Sequence, residues 1–134
     1  MYASNLYMMK TVMTIAGVDS GGGAGIAADL KTFSAIGVHG TCVITSLTAQ
    51  NTKGVLNSLD TPLDFIKEQF DAITSDIMID YVKTGMLSSP DIVRMVAGLI
   101  KKEKLSLVID PVISAEAGGT VSYTHLTLPT IYSV

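Results

Sequence analysis

Short apolar, β-branched runs alternate along this chain with longer segments of helical period, and that alternation restricts the fold more than any other feature of the sequence. Residues 11–16 (TVMTIA) read as a first strand and are followed by a glycine-rich loop at 18–25. A helix is predicted from Ile26 to Ile36, with Ile26, Leu30 and Phe33 on one face and Gly37 as its stop. Residues 41–47 (TCVITSL) are nearly continuous in apolar and β-branched types, as a strand covered on both faces should be. Residues 54–60 read as a short extra strand. Thr61 as a cap, Pro62 at the first helical position and Asp64 in the first turn then announce a second helix, with Leu63, Ile66, Phe70, Ile73 and Ile77 at helical spacing. Residues 80–84 (DYVKT) form a further strand. Ser89, Pro90 and Asp91 repeat the start signal for a third helix, whose apolar face is Ile92, Val96, Leu99 and Ile100 and whose end carries Lys101, Lys102 and Lys104. Residues 106–110 (SLVID) form a last strand, closed by Pro111.

The order β-α-β-(β)-α-β-α-β predicts an α/β fold with a mainly parallel sheet and helices packed on it. Ligands in such folds lie beyond the carboxyl ends of the strands. Segments 17–25, 48–52, 85–87 and 110–113 should therefore meet at one site.

At 134 residues the chain is one domain at most. A formal net charge of -3, a pI of about 5.1 and the lack of any Lys/Arg-rich stretch exclude a nucleic-acid binder. A charged fraction of 16% and a mean hydropathy of +0.45 suit strands covered on both faces. Residues 32–52 lack Asp, Glu, Lys and Arg over a length that could cross a bilayer. Gly37, His39, Gly40, Gln50, Asn51 and several Thr and Ser residues interrupt that stretch, so no membrane span is expected. The start, MYASNLYMMK, lacks the basic and apolar regions of a secretory signal, and Cys42 is the only cysteine. A cytoplasmic protein is expected.

The glycine loop lacks the Gly-Lys-Ser or Gly-Lys-Thr of a P-loop. It also lacks the acid that a dinucleotide fingerprint needs about 20 positions on, because no Asp or Glu occurs between Leu30 and Leu59. Two readings remain: close backbone approach to a small ligand or another loop, or a tight strand-to-helix turn. Asp29, one helical turn further on, is either a solvated helix charge or an acceptor for a polar ligand over that loop. Gln50 and Asn51 end the second strand, where an amide can donate to and accept from a heterocycle, or can serve loop backbone. Asp110 either faces magnesium and phosphates from a strand end or simply forms an Asp-Pro turn. Cys42 reads as packing. His39 and His125 have no partner pattern for metal or triad chemistry, and Met86 by itself reads as core.

TIAGVDSGGGAGIAADLKTFSAIGVHG at 14–40, VITSLTAQNTKGV at 43–55, IDYVKTGML at 79–87 and VIDPVISAEAGG at 108–119 occur in an order and spacing that resemble the phosphomethylpyrimidine (hydroxymethylpyrimidine) kinase family of the ribokinase-like superfamily. The resemblance implies the N-terminal half of a ribokinase-like three-layer α/β/α sandwich. It implies ATP- and magnesium-dependent phosphorylation of 4-amino-5-hydroxymethyl-2-methylpyrimidine and its monophosphate, in thiamine biosynthesis. By the same resemblance Gln50 reads the pyrimidine and Asp29 lies beside it. Gly17 ends the first strand at the substrate pocket, Met86 and Val112 sandwich the ring, and Asp110 stands near magnesium and the phosphates. The family's G-T-G-C type segment, an anion hole with the expected catalytic base, does not occur in this sequence.

Residues 9–120 are accordingly expected to form part of a kinase domain from a homodimeric parent, inactive in phosphoryl transfer by itself. Residues 1–8 are expected to be a disordered or non-native leader. Residues 121–134 (VSYTHLTLPTIYSV) lack Asp, Glu, Lys and Arg, carry Thr124, Thr127 and Thr130 at every third position, and are expected to be a non-native tail. The alternatives are a pyridoxal or pyridoxine kinase of the same superfamily, and a non-catalytic pyrimidine-binding fragment.

Overall fold

The computed structural model describes residues 9–112. The expected leader at 1–8, residues 113–120 and the expected tail at 121–134 lie outside the described residues. Strand β1 (Thr11–Asp19) leads through the glycine loop into helix α1 (Gly25–Ala35) and then β2 (His39–Asn51), which turns back as β3 (Gly54–Asp60). Helix α2 (Leu63–Thr74), strand β4 (Tyr81–Thr84), helix α3 (Pro90–Lys102) and strand β5 (Ser106–Ile109) follow. The sheet has the order β3-β2-β1-β4-β5, parallel except for the antiparallel β2–β3 hairpin. The chain steps from β1 to β2 on one side and later to β4 on the other. Such a reversal opens a crevice at the carboxyl ends of β1 and β4.

Alternation along β1 shows how the layers form. Met13 and Ile15 point into a fully buried apolar cluster with Val43, Val82 and Leu107 of the sheet. Ile66 and Phe70 of α2, together with Ile92, Val93, Val96 and Ile100 of α3, complete that cluster. Thr14 points the opposite way, where its hydroxyl donates to Asp29 of α1 at 2.6 Å. One helix thus covers one face and two cover the other. Close packing of α1 on β2 depends on Gly40, where a Cβ would stand 2.8 Å from a methyl of Leu30. Gly37, at φ +77°, ends α1 as predicted. No helix among the described residues is long and apolar enough to cross a membrane.

Two local features differ from the sequence expectation. Residues 48–51 belong to β2 instead of a loop, because their backbone pairs with β3 from Ser46 to Asn51. Their polar composition hid this, since ladder bonds do not depend on side chains. Helix α2 is entered through Pro62, in extended conformation, and has no side-chain cap from Thr61. Ser89 does cap α3, accepting from the Ile92 amide at 3.2 Å.

Candidate functional site

A bulge shapes the carboxyl end of the sheet. Ala16 pairs with Ile44 but Gly17 pairs with Ser46, so Thr45 is an extra residue on β2. On the other edge of β2 the hairpin ladder begins only at Ser46. Gln69 of α2 satisfies the backbone before it, accepting from the Ile44 amide at 2.9 Å and donating to the Ile44 carbonyl at 3.0 Å. The bulge leaves Ser46 fully buried beside Gly17, with no hydrogen-bond partner for its hydroxyl among the described residues. Gly17 allows this close packing: a Cβ would lie 2.6 Å from the Met86 methyl and 2.7 Å from Ser46 Oγ, and both side chains would have to shift.

Above this floor opens a cavity of about 1020 Å³. All six residues singled out in the sequence line it: Gly17, Asp29, Gln50, Met86, Asp110 and Val112. Gly17, Gln50, Met86, Asp110 and Val112 come from the four segments expected to converge, and Asp29 is added to them by α1.

Charge in the cavity is organised around a residue the sequence reading missed. Lys83 Nζ contacts both oxygens of Asp29, at 2.9 and 3.0 Å, and Asp110 Oδ2 at 3.2 Å. Asp29 is thus neither a solvated helix charge nor a free acceptor, since Thr14 and Lys83 engage its oxygens. Its side chain is 14% exposed, Lys83 21% and Asp110 49%. A signal for Lys83 existed in the sequence. A lysine inside a strand covered on both faces needs a buried partner or an exit to a cavity.

The glycine loop is occupied by the chain itself. The Asp19 carboxylate accepts from the Gly21 amide at 2.7 Å and the Gly23 amide at 3.0 Å, which satisfies donors that would otherwise suit a phosphate. Ser20 Oγ then grips the backbone of Gln50, donating to its carbonyl and accepting from its amide, both at 2.8 Å. The loop thus makes its close approach to the end of strand β2, and Gly21, Gly23 and Gly25 also line the cavity. Gly25 opens α1 at φ +58°, and a Cβ there would fall 2.3 Å from the Gly17 carbonyl oxygen. Cys42 is half-buried and burial pushes its thiol pKa up, so it offers no thiolate at neutral pH. Among the described residues no three His, Cys, Asp or Glu side chains cluster as a metal site.

The family model described as phosphomethylpyrimidine kinase matches residues 19–127. The chain belongs to the phosphomethylpyrimidine kinase family. It is 48% identical to the hydroxymethylpyrimidine/phosphomethylpyrimidine kinase of Streptomyces coelicolor over 82% of this chain and 41% of that protein. The crystal structure of a phosphomethylpyrimidine kinase from Clostridium difficile superposes with a TM-score of 0.79 at 49% identity, over 85% of this chain and 50% of that one. An ADP complex of Bacillus subtilis pyridoxal kinase follows at a TM-score of 0.72 and 42% identity, over 78% of this chain and 40% of that one. The chain spans about two-fifths of the length of the curated Streptomyces kinase. All the residues lining the cavity except Gly17 and Val18 fall within the span matched by the family model.

Proposed function

We propose that this chain provides the substrate-reading part of an ATP-dependent kinase for 4-amino-5-hydroxymethyl-2-methylpyrimidine and its monophosphate, in thiamine biosynthesis. The observation that carries the proposal is the convergence of Gly17, Asp29, Gln50, Met86, Asp110 and Val112 on one cavity. A flat aminopyrimidine calls for apolar faces and a few polar groups at its edge. Met86 and Val112 supply the faces, and Gln50 supplies an amide edge. The Asp29–Lys83 pair gives a rigid polar wall on which the ring can be oriented. Phosphoryl transfer depends chiefly on such positioning and on charge stabilisation.

Magnesium in kinase sites is held by one or two carboxylates together with substrate phosphates. Asp110, half-exposed at the cavity wall, fits as one such ligand, and the ion would neutralise charge on the transferring group. The G-T-G-C type anion hole does not occur in these 134 residues, so the proposal assigns them binding and no complete catalytic set. Cytoplasmic location and a homodimeric enzyme belong to the same proposal. The likeness to the Bacillus pyridoxal kinase supports a second reading, in which the cavity takes a pyridine ring.

Calorimetric titration with the aminopyrimidine and with pyridoxal separates the two. The expected result is binding of the aminopyrimidine at least about tenfold tighter than pyridoxal, a difference of about 1.4 kcal/mol, and its loss in Gln50→Ala. Tighter binding of pyridoxal would replace the first reading with the second. Binding of neither would remove both.

A further inference from the structure

The Gln50 side chain has two ends of nearly the same shape and opposite hydrogen-bonding character. Which end faces the cavity decides what a ligand must present there. Thr48, two residues earlier on β2, supplies the constraint. Its Oγ lies 2.7 Å from the Val18 carbonyl oxygen and 3.1 Å from Gln50 Oε1. A threonine hydroxyl has one proton. Two oxygens at 2.7 Å without a proton between them repel, so the proton belongs to the Val18 bond. With Oε1 at the second position, two acceptors would then face each other. A half-turn of the amide about its last bond removes the conflict, because Nε2 then donates to Thr48 Oγ while Thr48 donates to Val18. That half-turn brings Oε1 to the side opposite Thr48. The Gln50 backbone cannot drift to compensate, since Ser20 holds both its amide and its carbonyl at 2.8 Å. Thr48 and Gln50 both line the cavity.

We propose that Thr48 is a positioning residue that fixes the Gln50 amide with its oxygen toward the ligand, and so selects rings bearing an N–H donor over rings bearing a carbonyl at that edge. The ligand part of this inference rests on the pyrimidine reading above; the amide orientation does not. The selected chemistry is an exocyclic amino group on an aromatic heterocycle. An oxo group at the same place would set oxygen against oxygen.

Two measurements on the wild-type protein, Thr48→Val and Thr48→Ser test the proposal. In the ligand-free, ¹⁵N-labelled protein, Gln50 Nε2 protons should exchange with solvent about tenfold more slowly in wild type and Thr48→Ser than in Thr48→Val, the ratio expected of one retained hydrogen bond. In the second measurement, 4-aminopyrimidine and 4-oxopyrimidine analogues alike in their other substituents are compared by Kd. The expected preference for the amino ring is about tenfold in wild type and Thr48→Ser, falling to about threefold or less in Thr48→Val. Equal exchange in wild type and Thr48→Val would overturn the orientation. An unchanged amino preference in Thr48→Val, or a wild-type preference for the oxo ring, would overturn the selection. Slow exchange dependent on Thr48, with neither pyrimidine bound, would uphold the orientation and sink the pyrimidine reading instead.

Discussion

On one face of the sheet Met13, Ile15, Val43, Val82 and Leu107 meet two helices across an unbroken apolar layer. On the other face Thr14 and Lys83, neighbours of those same residues along the same strands, meet one helix through the carboxylate of Asp29. The first face is held by removal of apolar surface from water, which is non-directional and tolerant of exact geometry. The second is held by a few bonds whose members must all be satisfied, which places side chains accurately at the cost of robustness. Stability and site are thus separated across the thickness of one sheet.

The largest effect should come from the apolar face. Phe70 is 1% exposed, and Phe70→Ala is expected to lower the unfolding free energy by about 3–5 kcal/mol, measured in urea. A loss below about 1 kcal/mol would mean that this layer is not where stability resides. Next comes the polar face. Lys83→Met leaves the Asp29 carboxylate largely buried without its counter-ion and should cost about 3 kcal/mol. Adding Asp29→Asn should recover at least half of that loss, because the amide can still accept from Thr14. If the double variant is no better than the single one, the pair is not the organising element of this face.

A smaller change is expected at the cavity floor. Ser46→Ala removes a buried hydroxyl that has no partner among the described residues. It should leave the ligand-free protein unchanged or more stable by up to about 1 kcal/mol. A clear loss in thermal unfolding would show that the hydroxyl is satisfied in solution.

The smallest effect lies at the opposite end of the sheet. Asp80 accepts from Lys10 Nζ at 2.7 Å and from the Thr11 amide at 2.8 Å, joining the starts of β1 and β4. The Lys10 hydrogen bond, then the Thr11 amide, hold the Asp80 pKa below its ordinary value of 3.8. Asp80 raises the Lys10 pKa above 10.5. The Asp80 contribution is therefore complete above pH 3.8 and disappears as pH falls through the lowered value. The Lys10 contribution is complete below pH 10.5 and disappears as pH rises through the raised one. Asp80→Asn should flatten the acid limb of a stability–pH curve slightly. An unchanged acid limb would assign acid sensitivity to other carboxylates.

Much of the fold was legible in the sequence because burial on two faces writes itself into composition. The run TVMTIA is apolar because β1 is covered by helices on both faces, and Ser89-Pro90-Asp91 opens α3 because its backbone donors need a cap. Residues 48–51 were the exception, since their pairing with β3 uses backbone groups that every residue carries. The lining of the cavity was legible as a list of positions. Lys83 and Ser20 were not, because each acts through a partner distant in sequence, and Ser46 was not, because the β2 bulge that buries it exists only in the paired sheet. Lys83 is 54 residues from Asp29, and Ser20 is 30 from Gln50.

The sequence alone determined the alternation of strands and helices, and with it a mainly parallel sheet with a cavity beyond the strand ends. It also carried the motifs that place the chain in its family. Only the tertiary structure decided that Asp29 is neutralised by Lys83, that the glycine loop encloses its own aspartate, and that the β2 bulge buries Ser46 against Gly17. The physical reason is range. Periodicity and capping depend on residues within a turn or two of one another, whereas a buried charge or hydroxyl is defined by whatever the completed sheet brings to within about 3 Å of it.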